Sequence, residues 1–163
     1  MERLAIAFTG PSNSGKTTLI ERLSKKLVRD YKVVVIKHDP KDKAIYDTEG
    51  KDSDRFFKSG ADVAVISNKR TTIFKHSSST IEEIANFFDD FDFLFIEGLK
   101  NLPLPRIGIF NDSIDEEYIP YIQAIVIDSN INQDKLKGLN LKILDINNLD
   151  EILEYIKNNA KRI

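Results

Sequence analysis

One stretch constrains this chain more than any other: Gly10-Pro11-Ser12-Asn13-Ser14-Gly15-Lys16-Thr17-Thr18. Two glycines bracket four residues and are followed by a lysine and a hydroxyl residue. That is the pattern of a loop that wraps phosphate, and it carries meaning only between a strand and a helix. Both flanks are present. Leu4-Ala5-Ile6-Ala7-Phe8 is a short apolar run that predicts a buried strand. Residues 17–29 place Leu19, Ile20, Leu23, Leu27 and Val28 at helical spacing. Gly10 and Gly15 let the backbone curl so that successive N–H groups converge on phosphate oxygens. A helix beginning near Lys16 adds its positive amino-terminal end. In this geometry Lys16 reaches the β- and γ-phosphates, Thr17 Oγ1 ligates Mg²⁺ and Thr18 donates to the α-phosphate.

The remaining pattern is that of an α/β chain with a mostly parallel sheet, expected as a three-layer P-loop NTPase fold. Val33-Val34-Val35-Ile36 is a continuous β-branched run, as in a strand covered on both faces. It ends in Lys37-His38-Asp39-Pro40, and function in open α/β sheets sits beyond the carboxyl ends of the strands. Residues 41–52 are polar and aperiodic and predict a long loop carrying Asp47, Lys51 and Asp52. A short helix is expected over 53–59, ended by Gly60. Residues 61–67 and 71–75 predict an antiparallel hairpin inserted into the βα alternation. Thr80 is placed to cap a helix running to Phe88. Further strands are expected at 92–98, 106–110, 124–127 and 142–144, with a closing helix over 149–159 and a loop over 111–118. No repeat or low-complexity linker divides the 163 residues, so a single nucleotide-binding domain over 1–163 is expected.

The strand Phe93-Leu94-Phe95-Ile96 ends in Glu97-Gly98. An acid in that position, opposite a phosphate loop, holds Mg²⁺ or its water shell. Asp92, at the other end of the same strand, is read as structural. Asp39 is a second candidate for Mg²⁺ or for placing a water, in competition with Asp47 and Asp52. Lys16, Asp39 and Glu97 are thus the candidate catalytic set, and Thr17, Glu97 and Asp39 the candidate metal ligands. Lys37, Lys51 and Lys100 are candidates for contact with anionic groups and His38 for contact with phosphate or a pterin, each weighed against an ordinary surface or backbone-capping role. Asp128, at the end of a late strand, could accept from N1–H and N2 of guanine or could cap its own turn. The Asn-Lys-x-Asp guanine signature is not found: Asn68-Lys69 is followed by Arg70-Thr71.

The ordered series Gly10–Thr18, Lys37-His38, Gly50-Lys51-Asp52-Ser53, Gly60-Ala61 and Glu97-Gly98-Leu99-Lys100 resembles the MobB family, adaptor proteins of molybdopterin guanine dinucleotide biosynthesis. The resemblance spans residues 4 to about 128. It implies a GTP-binding, Mg²⁺-using protein that assists a MobA-type guanylyltransferase joining GMP to molybdopterin. It further implies a homodimer, weak GTP hydrolysis at most, and molybdopterin itself as a candidate ligand. Two positions depart from the family pattern. Asp39-Pro40 follows Lys37-His38 where a second histidine is common, and Pro105-Arg106 stands where Pro-Lys is common.

Composition bounds the alternatives. A net charge of −2, with lysines interleaved among carboxylates, gives no nucleic-acid surface. No cysteine is present, so disulfides and thiolate sites are excluded. No apolar run approaches membrane-spanning length and the first residues do not form a signal peptide, so a cytoplasmic location is expected. Two rival functions remain at this level: a small-molecule kinase or ATP-dependent ligase similar to dethiobiotin synthetase, and a nucleotide-dependent regulator or metallochaperone.

Overall fold

The computed structural model describes residues 2–131 and 136–163. They form two compact units, Met1–His38 with Phe88–Ile163, and Asp39–Phe87.

The first unit holds a seven-stranded sheet of β1 (Leu4–Thr9), β2 (Val33–Lys37), β5 (Phe93–Glu97), β6 (Arg106–Phe110), β7 (Ala124–Ile127), β8 (Lys142–Asp145) and β9 (Lys161–Arg162). Its order is β2-β5-β1-β6-β7-β8, with the short β9 pairing with β1. All neighbours are parallel except β9, which runs antiparallel to Leu4 and Ala5. Helices α1 (Lys16–Leu27) and α4 (Leu149–Asn159) and a 3-10 turn (Glu116–Tyr121) belong to the same unit. This is the α/β architecture with a mostly parallel sheet that the sequence predicts.

The two-residue side-chain period of a strand divides the apolar runs between two faces. Ile6, Phe8, Phe93, Phe95, Ile107, Ile109, Ala124 and Val126 share one core with Leu19, Leu23 and Leu27 of α1 and Ile152, Leu153 and Ile156 of α4. Their alternates Phe110, Ile125 and Ile127 form a second core with Ile122, Ile131 and Leu136, against which Tyr118 and Ile119 pack. Two buried faces explain why these strands are apolar at every position rather than at every second one. Phe8 and Phe95 meet edge to face with centroids 5.3 Å apart.

The second unit holds α2 (Asp52–Lys58), the antiparallel ribbon β3 (Val63–Ile66) and β4 (Thr71–Phe74), and α3 (Ile81–Asn86). Thr80 caps α3 through a full capping box with Glu83. Phe57 stacks flat on His76 at 3.9 Å and packs against Phe74. The His76 ring nitrogen Nε2 also meets the Phe57 carbonyl at 3.0 Å, so a residue read from sequence as plain loop locks this unit together.

Two elements differ from expectation. The segment expected as loop over 111–118 turns into 3-10 helix from Glu116, with Asp115 accepting from Glu117 N. β9 has no apolar pattern to announce it; its strand character comes from pairing with Leu4 and Ala5, extended by a bond from Ile163 N to Arg3 O.

Phe95→Ala is expected to cost about 3–5 kcal/mol of stability, since it empties the centre of the first core. Val28→Ala, at a residue 59% exposed, should stay within about 0.5 kcal/mol of the parent. Urea denaturation of both variants measures the contrast.

Candidate functional site

The site grows from the carboxyl end of β1. Because β1 lies between β5 and β6, Phe8 is in register with Glu97 and Thr9 with Gly108. The chain then leaves the sheet at Gly10, whose φ is 143°. A Cβ there would lie 2.3 Å from the Ile109 carbonyl oxygen, so only glycine fits between β1 and β6. Asn13, at φ 62°, takes the left-handed conformation that asparagine tolerates better than most residues. Its carbonyl accepts from Asn111 Nδ2 at 3.2 Å. Asn111, the residue after β6, therefore braces the loop from the neighbouring strand. Ser14 is buried and its N–H donates to Pro11 O. Gly15 is the N-cap of α1, and no side chain caps the helix there. The first amide groups of α1 are thus left to whatever the loop holds.

Lys16 folds back across the loop. Its Nζ donates to Gly10 O at 2.9 Å and Pro11 O at 2.6 Å. Burial pushes its pKa below the usual lysine value; Glu97 opposes that shift and Lys37 adds to it. Lys16, Lys37 and Glu97 thus share one electrostatic neighbourhood. β2 brings Lys37 into register with Glu97 of β5. His38 N donates to Glu97 O at 3.0 Å, and the His38 side chain covers Gly98.

Thr17 Oγ1 lies 3.4 Å from each carboxylate oxygen of Glu97. A hydroxyl and a carboxylate at that separation are hard oxygen donors. They suit Mg²⁺, which binds through one or two such protein groups and completes its shell with water and phosphate. The fit supports Thr17 and Glu97 as the residues that would hold the ion.

The other sequence candidates are placed as follows. Asp39 and Lys51 belong to the second unit. The Asp39 carboxylate accepts from Lys41 N, Lys43 N and Ala44 N, shaping its own loop. Lys51 is the N-cap residue of α2, its carbonyl accepting from Arg55 N. Lys100 pairs with Glu117 and lies over the rings of Tyr118 and Tyr121. Asp128 accepts from Asn130 N at 2.9 Å and Asn130 Nδ2 at 3.1 Å, the geometry of a capped turn. Asp92 accepts from Lys32 N at 2.8 Å, the structural part expected of it.

Sequence reasoning passed over two residues. Asn111 gave no signal, because its partner is 98 positions away. Arg106 was visible as a cation following Pro105, but its place in the core was not. It is 1% exposed. Its guanidinium donates to Gly98 O at 2.8 Å and Leu99 O at 2.7 Å rather than facing the phosphate loop.

A family model described as molybdopterin guanine dinucleotide synthesis protein B matches residues 5–128. The molybdopterin-guanine dinucleotide biosynthesis adapter protein of Haemophilus influenzae is 31% identical over 162 residues, covering 94% of this chain and 87% of that one. A probable adapter protein of the same name from Bacillus subtilis is 32% identical over 132 residues, covering 75% and 73%. The crystal structure of molybdopterin-guanine biosynthesis protein B superposes with a TM-score of 0.71 at 25% identity, covering 95% of this chain and 99% of that one.

Gly10→Ala is expected to cost about 2–4 kcal/mol, because the new Cβ must displace the backbone of Ile109 or of the loop. Thermal denaturation measures the loss; a variant as stable as the parent would mean that the loop and β6 are not in this contact.

Proposed function

The chain belongs to the MobB family of adaptors in molybdopterin guanine dinucleotide biosynthesis, and on that premise we propose that it binds GTP with Mg²⁺ and assists a MobA-type guanylyltransferase. The observation that carries the nucleotide part is the meeting of Thr17 with Glu97 beside Lys16. It provides metal ligands and a cation at the end of a helix whose first amides are uncapped. A triphosphate arriving here would take over the Lys16 ammonium from the carbonyls of Gly10 and Pro11, and its oxygens would receive the loop amides. Lys37 adds positive charge at the same edge.

Hydrolysis by this site is slow. Fast phosphoryl transfer needs a group that orients the attacking water and a cation that neutralises transition-state charge. Arg22 is committed to Ile146 O and Arg106 to the turn after Glu97. Firm hold with little turnover suits a protein whose bound nucleotide serves a partner enzyme. We read residues 39–87 as an insertion within a single nucleotide-binding domain. Guanine in place of adenine is part of this proposal, supported by the family resemblance, with Asp128 as the carboxylate at the strand end that suits it.

The chain pairs with a second copy in this reading. The second unit exposes Ile45, Tyr46, Phe56, Val65 and Ile66; Ile66, 77% exposed, and Val65 lie on a ribbon of two strands. Large exposed apolar groups are the material of an interaction surface, and an isologous pair would bury the same residues twice.

Calorimetric titration is expected to show tighter binding of GTP than ATP, strengthened by Mg²⁺, and no detectable binding to Lys16→Ala. Preference for ATP would favour a kinase or ligase instead. Phosphate contact favours charged Lys16, so affinity should fall as pH rises through the lowered pKa of that lysine, with proton uptake on binding in that range. Light scattering should return the mass of two chains for the parent and of one for Ile66→Asp. A monomeric parent would remove the dimer.

A further inference from the structure

A buried cation with no carboxylate is the feature the nucleotide reading leaves unexplained. Among the described residues no acid pairs with Arg106, and its Nε has no hydrogen-bond partner. Its three bonds all go to backbone: Gly98 O, Leu99 O and, at 3.4 Å, Leu102 O. Burial alone pushes its pKa down, though a guanidinium stays charged at any working pH. Desolvating a charge is costly, and an apolar side chain of similar size fills core space more cheaply. Arg106 is therefore not there for packing.

The backbone it holds is unusual. Gly98 has φ 93° and Leu99 φ 51°, two successive residues in the left-handed region. Leucine disfavours that conformation, and such residues persist only where their surroundings hold them. The guanidinium takes the carbonyls of those two residues, one on each terminal nitrogen. Arg106 is itself anchored: it pairs with Ala7 in the sheet, and its N–H and C=O are both bonded to Gln123. Immediately before the turn stands Glu97, tied by His38 N on one side and by the bond from Gly98 N to Phe8 O on the other.

We propose that Arg106 is a positioning residue: by gripping the carbonyls of Gly98 and Leu99 it fixes the Glu97 carboxylate opposite Thr17. It thereby sets how strongly Mg²⁺ tightens nucleotide binding. The proposal rests on the reading of Thr17 and Glu97 as the metal pair. Lysine in place of this arginine keeps the charge but gives up the double grip. An ammonium is one point of attachment, whereas the two carbonyls are met by two nitrogens of a rigid planar fork.

The test compares GTP affinity with and without Mg²⁺ in the parent, Arg106→Lys, Arg106→Met and Glu97→Ala, with circular dichroism and melting to verify folding. Arg106→Lys keeps the charge and most of the length, so it carries the test should Arg106→Met fail to fold. Expected is Mg²⁺-free affinity within about twofold of the parent for Arg106→Lys, and a Mg²⁺ gain reduced at least fivefold. In the Glu97→Ala background, Arg106→Lys should reduce the gain no further, because it acts through Glu97. An undiminished Mg²⁺ gain in Arg106→Lys, or an additive loss in the double variant, would overturn the proposal. A parent that binds GTP without any Mg²⁺ gain would sink the metal-pair reading and this proposal with it. A parent that binds no GTP would overturn the functional reading at its root.

Discussion

Everything at the candidate site depends on β1 lying in parallel register between β5 and β6. That one arrangement puts Phe8 opposite Glu97 and Ala7 opposite Arg106, and ends β1 where Gly10 can press against Ile109 O. The loop, the acid and the arginine come from residues 10–17, 97 and 106, yet a shared register delivers them to one edge of the sheet. The register itself is held by burial on two faces, since a slip of one residue would exchange Ile6 and Phe8 for Ala5 and Ala7 in the first core.

At that edge the electrostatics are divided by depth. Lys16 and Lys37 sit near the surface, where they can meet an anion. Arg106 sits behind them in the core and spends its charge on carbonyl dipoles. Glu97 is the acid between these cations, and its carboxylate faces Thr17 while Lys16 is bonded to Gly10 and Pro11. The cost of burying Arg106 falls on the fold, and what it returns is a fixed turn after the acid. That division separates the cations at the loop from one committed to the backbone behind it.

Much of this was legible in the residues. β1, the phosphate loop, α1 and the strand ending at Glu97 follow from apolar runs, glycine spacing and helical periodicity, all of which are local. The hairpin and the Thr80 cap are likewise local patterns, and both are present. The signals that failed are the nonlocal ones. β9 has two exposed basic residues and becomes a strand only because the first residues of β1 have an open partner position. His76 gains its place from Phe57, and Asn111 from the carbonyl of Asn13. Lys100 reads in sequence as a free cation following Glu97-Gly98, but a chain that turns twice through left-handed conformations carries it to Glu117.

By itself the sequence determined the fold class, the phosphate loop with its lysine and threonine, the acid facing it and the family. These are set by residue type at fixed short spacing, which backbone geometry converts directly into structure. Tertiary structure alone decided which cations stand open at the phosphate loop and which face the core. Arg106 and Lys37 are both basic residues at a strand end, and nothing in their neighbours along the chain tells them apart. The difference is burial: Lys37 ends an edge strand in solvent, while Arg106 starts a strand flanked on both sides. A charge in the second environment must find its partners in the backbone around it.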